Sequence, residues 1–218
     1  MTWIQTASGR RFDLAAPQSA LVDFDTDVPD ALARLARFTG HISRGPYSVA
    51  QHSVLACDAV LAETGDALAA AYALLHDAHE AYTGDWSTPL KHAIWAEARK
   101  AGIAAANQIE TVLHALEARV VAAVHGAAGL PLPSEHYRAI VKDIDFRLLH
   151  AERRQLLDTS QRRAQVWWYD GTATEPRPIK SLGALKPWPW DYAADRFRMR
   201  YRAILPKAHQ RLRQRGAA

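Results

Sequence analysis

The sequence has a single cysteine, Cys57, so no intramolecular disulfide can form and a reducing compartment, the cytoplasm, is expected. Cys57 sits among apolar, helix-forming residues with nothing basic beside it, which suits a small core residue better than a nucleophile. Long apolar runs are also missing. The longest weakly apolar stretch, Ala67 to Leu75, falls far short of the roughly 20 residues that span a bilayer, so no membrane partner is expected. The opening Met-Thr-Trp-Ile-Gln-Thr lacks the apolar centre of a secretory leader. There is no internal repeat, no Gly-rich phosphate loop and no composition break that marks a second domain. With 218 residues and an ordinary 49% hydrophobic content, the chain reads as one domain (residues 1–218) large enough to bury a good core.

Acidic residues are slightly outnumbered, which leaves a net charge of +4, and much of the excess lies near the C-terminus. Arg196, Arg198, Arg200, Arg202, Lys207, Arg211, Arg213 and Arg215 face only Asp191 and Asp195 there. Such a tail can meet anions. No alternation of aromatic and basic residues accompanies it, so a solvated helix face is the expectation and nucleic acid is not an expected partner.

The chain reads as mainly α with a small N-terminal β-hairpin. Residues 3–7 and 10–14 flank Ser8-Gly9, a hairpin signal. Residues 15–27 read as loop. A first helix is expected over 28–38, stopped by Gly40, and a second over 49–63, opened by Ser48 and Gln51 at capping-box spacing and ended at Gly65. A third is expected over 66–82 with Asp66 as its cap. Thr88 and Pro89 open a short helix, residues 93–126 are helical with a break at Gly102, and Ser134 caps a long helix to about Leu157. Residues 159–189, with Trp167-Trp168, Gly171 and several prolines, read as an ordered crossover. A last helix starts near Trp190, and Pro206 is expected to break or kink it.

Chemistry concentrates in Leu74-Leu75-His76-Asp77-Ala78-His79-Glu80-Ala81-Tyr82-Thr83-Gly84-Asp85. In a continuous helix His76 and Glu80 share a face, and Asp77 lies close enough for its carboxylate and the His76 imidazole to meet on one ion. Burying these groups on an Ala-rich helix is costly unless they are paired or bind a cation. A solvated helix end is the plain alternative, and a His-Asp dipeptide alone is weak. Two further segments strengthen it. His52 lies in the first turns of the second helix, and Asp145 lies inside the helix after Ser134. Asp143 competes with Asp145, two residues away and on another face. The remaining histidines, His92, His114, His125, His136, His150 and His209, form no ligand pattern and read as surface or satisfied residues.

The order His52, His76-Asp77, Asp145 resembles the signature of HD-domain phosphohydrolases, and the surrounding segments resemble the bacterial and prophage 5'-deoxynucleotidases of that superfamily. The matching stretches are 37–41, 47–54, 75–91 and 141–154. The resemblance implies an HD-type helical bundle with its core over about 28–158. It implies a metal held by His52, His76, Asp77 and Asp145, the Asp-x-x-Leu-Leu-x-x-Glu-Arg-Arg pattern favouring Asp145 over Asp143. Glu152 and Arg153 are expected as a structural ion pair.

The donor set suits one divalent transition metal: Mn, Co, Fe, Ni or Zn. By resemblance Glu80 handles protons, Arg37 binds phosphate, Asp85 accepts a hydrogen bond from the sugar 3'-hydroxyl, and Phe38 stands where the family has a tryptophan that crowds a 2'-hydroxyl. Each has a plainer reading: Arg37 an exposed last-turn charge, Phe38 a core residue of the first helix, Asp85 a turn former. His79, near the same face as His76, reads as an outer-layer or surface residue. The implied reaction removes phosphate from a nucleoside 5'-monophosphate. A deoxynucleoside triphosphate triphosphohydrolase, a dinuclear HD enzyme and a nucleotide-binding module without turnover are the rivals, and Glu80 favours turnover. Nucleotide is the expected partner, and the oligomeric state stays open between monomer and homodimer.

Overall fold

Caps and apolar spacing set most of the elements. The computed structural model describes residues 1–157 and 175–216, so the expectations for Trp167-Trp168 and Gly171 lie outside the described residues. Within them the fold is mainly α, with one two-stranded antiparallel ribbon. β1 (Trp3–Gln5) pairs with β2 (Arg11–Asp13) in the register Trp3–Asp13, Ile4–Phe12, Gln5–Arg11. A ribbon this short is marginal alone. It is held by Phe12, which is fully buried and stacks on Tyr82 at 3.8 Å. Asp27 also ties it down by accepting from the Ser8 N–H and hydroxyl.

The first helix, α1 (Asp27–Arg34), is shorter than the expected 28–38. Leu35 and Ala36 are extended instead. The cause is a competing pairing with the strip before the next helix: Val49 N–H donates to Leu35 O at 3.0 Å and Arg37 N–H to Tyr47 O at 2.9 Å. Arg37 is therefore not a last-turn charge of α1, and Phe38 is not a core residue of it. Both lie in a separate tight turn, Arg37–Gly40.

α2 (Val49–Thr64) begins at Ser48, whose hydroxyl accepts from Gln51 N–H, and ends at Gly65 with φ +64. Gln51 does not complete a reciprocal capping box. Its side chain donates to Lys186 O and accepts from Trp188 N–H, clamping a distant segment onto α2. α3 (Ala67–Leu75) is capped by Asp66, which accepts from Leu68 and Ala69 N–H. Leu68 to Leu75 are all buried, as a helix apolar on every side requires. The continuous helix over 66–82 is not formed. α3 stops at Leu75, and His76 to His79 make a tight turn closed by Ala78 N–H to Leu75 O and Glu80 N–H to Asp77 O. The short α4 (Glu80–Thr83) follows.

α5 (Thr88–Lys100) starts one residue from expectation, with Ser87 at the cap, and Gly102 separates it from α6 (Ile103–Ala127). α7 (Glu135–Leu156) carries Asp145. α8 (Trp190–Gly216) runs on through Pro206 without ending there. Nor is α8 a solvated appendage. Ala193, Ala194, Phe197, Ile204 and Ala208 are buried, and the helix packs on α1, α2 and α3. Four of its seven arginines pair within the protein: Arg198 with Asp30 and Asp195, Arg200 with Asp58, Arg202 with Asp25, Arg215 with Asp66. Cys57 is fully buried, and burial pushes its thiol up to about 12, as a core residue requires. Among the described residues no helix is long and apolar enough to cross a membrane.

Candidate metal centre

Two helices and one turn bring three donor residues together, with a fourth, Asp145, beside His52. His52 projects from the start of α2 and is fully buried. His76 and Asp77 come from the turn after α3, and Asp145 reaches in from α7 with 42% of its side chain exposed. The two histidine Nε2 atoms lie 3.3 Å apart. Asp145 Oδ1 is 3.1 Å from His52 Nε2 and 3.9 Å from His76 Nε2. Asp77 Oδ2 is 3.1 Å from His76 Nε2 and 3.9 Å from His52 Nε2. His52, His76 and Asp77 have the arrangement of a group that could hold a metal ion. Asp143 is turned away and pairs with Arg147.

The other ring nitrogens show which way the lone pairs point. His76 Nδ1 lies 2.8 Å from Ala73 O, which can only accept, so Nδ1 carries a proton. His52 Nδ1 lies 2.6 Å from Glu152 Oε1 and donates in the same way. Each neutral ring then aims an Nε2 lone pair at the same place. Without a cation the carboxylates draw protons there instead. Burial alone lowers the His76 pKa, but the Asp77 charge overrides it and holds it at about 9; burial and Arg37 pull His52 down, and Glu152 and Asp145 bring it above its ordinary value. Burial raises Asp77 and Asp145, and the imidazoles bring both below the usual carboxylate range. Two protonated rings 3.3 Å apart repel, whereas one cation satisfies both lone pairs and both carboxylates. The residues present fit a metal ion.

The sequence reading missed Glu152. Expected as a structural partner of Arg153, it is instead fully buried behind His52. Its Oε1 accepts from His52 Nδ1 and from the Tyr47 hydroxyl at 2.7 Å, and its Oε2 accepts from Arg37 Nε at 3.3 Å. Burial pushes the carboxyl up, yet Arg37 and His52 hold it below the usual range. One carboxylate thus sets the His52 tautomer and anchors Arg37, the role of a residue that orients a ligand. The signal was present only as an acid seven residues after Asp145 on the same helix. Glu152→Ala should weaken Mn binding about 10–100-fold. Calorimetric titration reads this directly, and an affinity equal to wild type would reduce Glu152 to a core acid.

Arg37 is half-buried and bridges Glu152 and Asp77, its Nη1 lying 3.4 Å from Asp77 Oδ2. Phe38 and Thr39 both take left-handed backbone, φ +56 and +54. Two such non-glycine residues in succession cost about 1–3 kcal/mol each. They are held by the Phe38 ring, which packs with Tyr47, Leu156 and Leu185 beside the Arg37 guanidinium. Glu80 opens α4, and its Oε2 is buried without a hydrogen-bond partner. Burial, then the Asp77 and Asp85 charges, raise its carboxyl to about 9. Asp85 is half-buried, and burial raises its pKa too, with Asp77 adding to it and Arg37 and His52 opposing. Asp77 and His52 of the donor set therefore act on both Glu80 and Asp85. His79 is half-buried with its Nδ1 unpartnered, and burial lowers its pKa. His125, expected at the surface or satisfied, is buried against Tyr72 with an unpartnered Nδ1; burial, and secondarily His79, lower it to about 4.

No protein-family model matches the chain. A protein of Rhodobacter capsulatus, "Uncharacterized protein RCAP_rcc00048", is 32% identical over 212 residues, 93% of this chain and 95% of that protein. "Uncharacterized protein YfdR" of Escherichia coli K12 is 40% identical over 93 residues, 42% of this chain and 47% of that protein.

Proposed function

We propose that this chain, which belongs to the family of the Rhodobacter capsulatus protein RCAP_rcc00048, is a divalent-metal-dependent phosphohydrolase of the HD-domain kind, acting on deoxynucleoside 5'-monophosphates. The observation that carries the reading is the convergence of His52 Nε2, His76 Nε2, Asp77 Oδ2 and Asp145 Oδ1, with an arginine 3.4 Å from one of these oxygens. A divalent ion held by these four residues supplies Lewis acidity toward water and toward a phosphoryl oxygen.

The chain's own residues do the rest. Arg37 offers a planar cationic fork to the phosphate. Glu152 holds that fork from behind through Nε, so it meets the phosphate already oriented. In the hydrolysis, water adds to phosphorus and the bond from phosphorus to the 5' oxygen breaks. The electron pair leaves with that oxygen. Glu80, protonated at the outset, gives its proton to the departing oxygen and takes up the one lost by water. A buried carboxyl with an unpartnered oxygen and a raised pKa suits this exchange. Asp85 accepts from the 3'-hydroxyl, and the Phe38 ring beside Arg37 occludes an added 2'-hydroxyl.

Phosphate release from dAMP, AMP and 2',3'-dideoxy-AMP tests the reading on wild type and Asp85→Asn. We expect dAMP to exceed AMP. Losing the 3'-hydroxyl leaves a half-buried carboxylate without its partner, about 1–3 kcal/mol, so the dideoxy substrate should drop roughly tenfold or more in kcat/KM. Equal rates on dAMP and AMP would sink the deoxy assignment. Indifference to the 3'-hydroxyl would return Asp85 to turn formation.

A further inference from the structure

A cavity of about 150 Å³ opens beside the cleft, between the α5–α6 hairpin and the chain leaving α4. Thr83, Trp86, Lys91, Trp95, Leu113 and Glu117 line it. Thr83 ends α4 three residues after Glu80, and Trp86 follows Asp85 directly. The Trp86 indole N–H donates to Thr83 O at 3.2 Å, which fixes its ring against the end of α4. Trp95 is half-buried, and its indole N–H has no hydrogen-bond partner. Lys91 Nζ and Glu117 Oε1 form a half-buried ion pair at 2.9 Å. The cavity adjoins the metal centre: Thr83, on its wall, donates its hydroxyl to His79 O at 3.2 Å, in the turn that carries His76 and Asp77.

We infer that this cavity takes the nucleobase of the substrate, guanine by preference, an inference that rests on the phosphohydrolase reading above. A sugar held at Asp85 by its 3'-hydroxyl has its base within reach of Trp86, the next residue. Two indoles offer stacking faces for a flat ring, which any base can use. The polar groups choose among bases. Glu117 is an acceptor-only carboxylate, and guanine presents two adjacent donors, N1–H and the 2-amino group, that match it. Lys91 is a donor, and guanine presents O6 and N7 as acceptors. Adenine has one amino donor group against the carboxylate, and a pyrimidine covers less of the two indoles.

The test compares kcat/KM for dGMP, dAMP and baseless 2-deoxyribose 5-phosphate on the Mn-loaded full chain, with Trp86→Ala and Glu117→Gln beside wild type. Calorimetric binding of deoxyguanosine to wild type and to Leu113→Arg, which fills the cavity, runs in parallel. Wild type should prefer dGMP over the baseless ester by about ten- to a hundredfold. Trp86→Ala should shrink that ratio about tenfold, and Glu117→Gln should bring the dGMP-to-dAMP ratio near one. Equal turnover of dGMP and the baseless ester overturns the base site, and so does an equal loss on both in Trp86→Ala. Equal turnover of dGMP and dAMP by wild type overturns the guanine assignment. If no ester is hydrolysed, the phosphohydrolase reading has failed. Deoxyguanosine binding, weakened about tenfold in Leu113→Arg, then still upholds the cavity as a base site, and its absence removes that too.

Discussion

A chelator will abolish phosphate release by the purified protein, Mn or Co will restore it, and His76→Ala will lose both the bound ion and the rate. His76 supplies one of four donors, and its Nε2 stands 3.3 Å from the only other imidazole nitrogen of the set. With it gone, His52 alone faces two carboxylates. A metal contributes several kcal/mol to a phosphoryl-transfer barrier, so turnover should fall about a thousandfold or more. The substitution removes the hydrogen bond from His76 Nδ1–H to Ala73 O and the His76 Nε2 contact with Asp77 Oδ2, about 1 kcal/mol each, which a folded domain tolerates. Far-UV circular dichroism should therefore match wild type while elemental analysis shows the metal lost. A variant that keeps full metal and full rate means that the four donors are not the site.

Glu80→Gln is expected to do the opposite to binding and nearly the same to rate. Glu80 is one helical turn beyond His76 in sequence, but its Oε2 is buried without a partner. Glutamine keeps the shape and cannot exchange a proton. The variant should hold metal and dAMP like wild type and turn over on the order of a hundredfold more slowly, the usual contribution of a positioned acid–base group. Near neutral pH a carboxyl raised to about 9 is protonated and already uncharged, so glutamine changes no charge there and the melting temperature should not fall. An unchanged rate would take Glu80 out of the mechanism. A lost metal would make it a ligand instead.

Glu152 and Arg37 show where sequence reading reaches its limit. Position in the sequence singles out Arg37 but not the turn, Arg37–Gly40, that holds it. Leu32, Leu35 and Ala36 keep helical spacing, so the local pattern carries the first helix on through Arg37. What ends α1 at Arg34 is the pairing of residues 35–37 with 47–49, which no local window registers. Glu152 is an acid among arginines on a helix, a pattern that in isolation means a surface ion pair. Its real partner His52 is one hundred residues away in sequence. The same holds for α8. Arg198 and Arg200 look solvated until Asp30, Asp58 and Asp195 are found beside them, whereas Arg202, Lys207, Arg211, Arg213 and Arg215 stay exposed as a solvated face does.

The sequence by itself determined the elements whose causes act over a few residues, and the order of the donors along the chain. Ser48 and Asp66 cap by hydrogen bonds that close within three residues, Gly65 ends α2 because it takes a positive φ at no steric cost, and the apolar run Leu68 to Leu75 can only be buried. His76 and Asp77 are neighbours on the backbone, so their convergence needed no distant information. Tertiary structure decided everything that depends on a partner far along the chain. It ended α3 at Leu75 and so opened a turn that presents His76 and Asp77 to α2 and α7. It also placed Glu152 behind His52, bent Phe38 and Thr39 into left-handed backbone beside Arg37, and set Trp86 next to Lys91 and Glu117. The physical reason is one of range. Capping and periodicity are local free energies, whereas burial of a charge is settled only once the opposite charge has been brought to it.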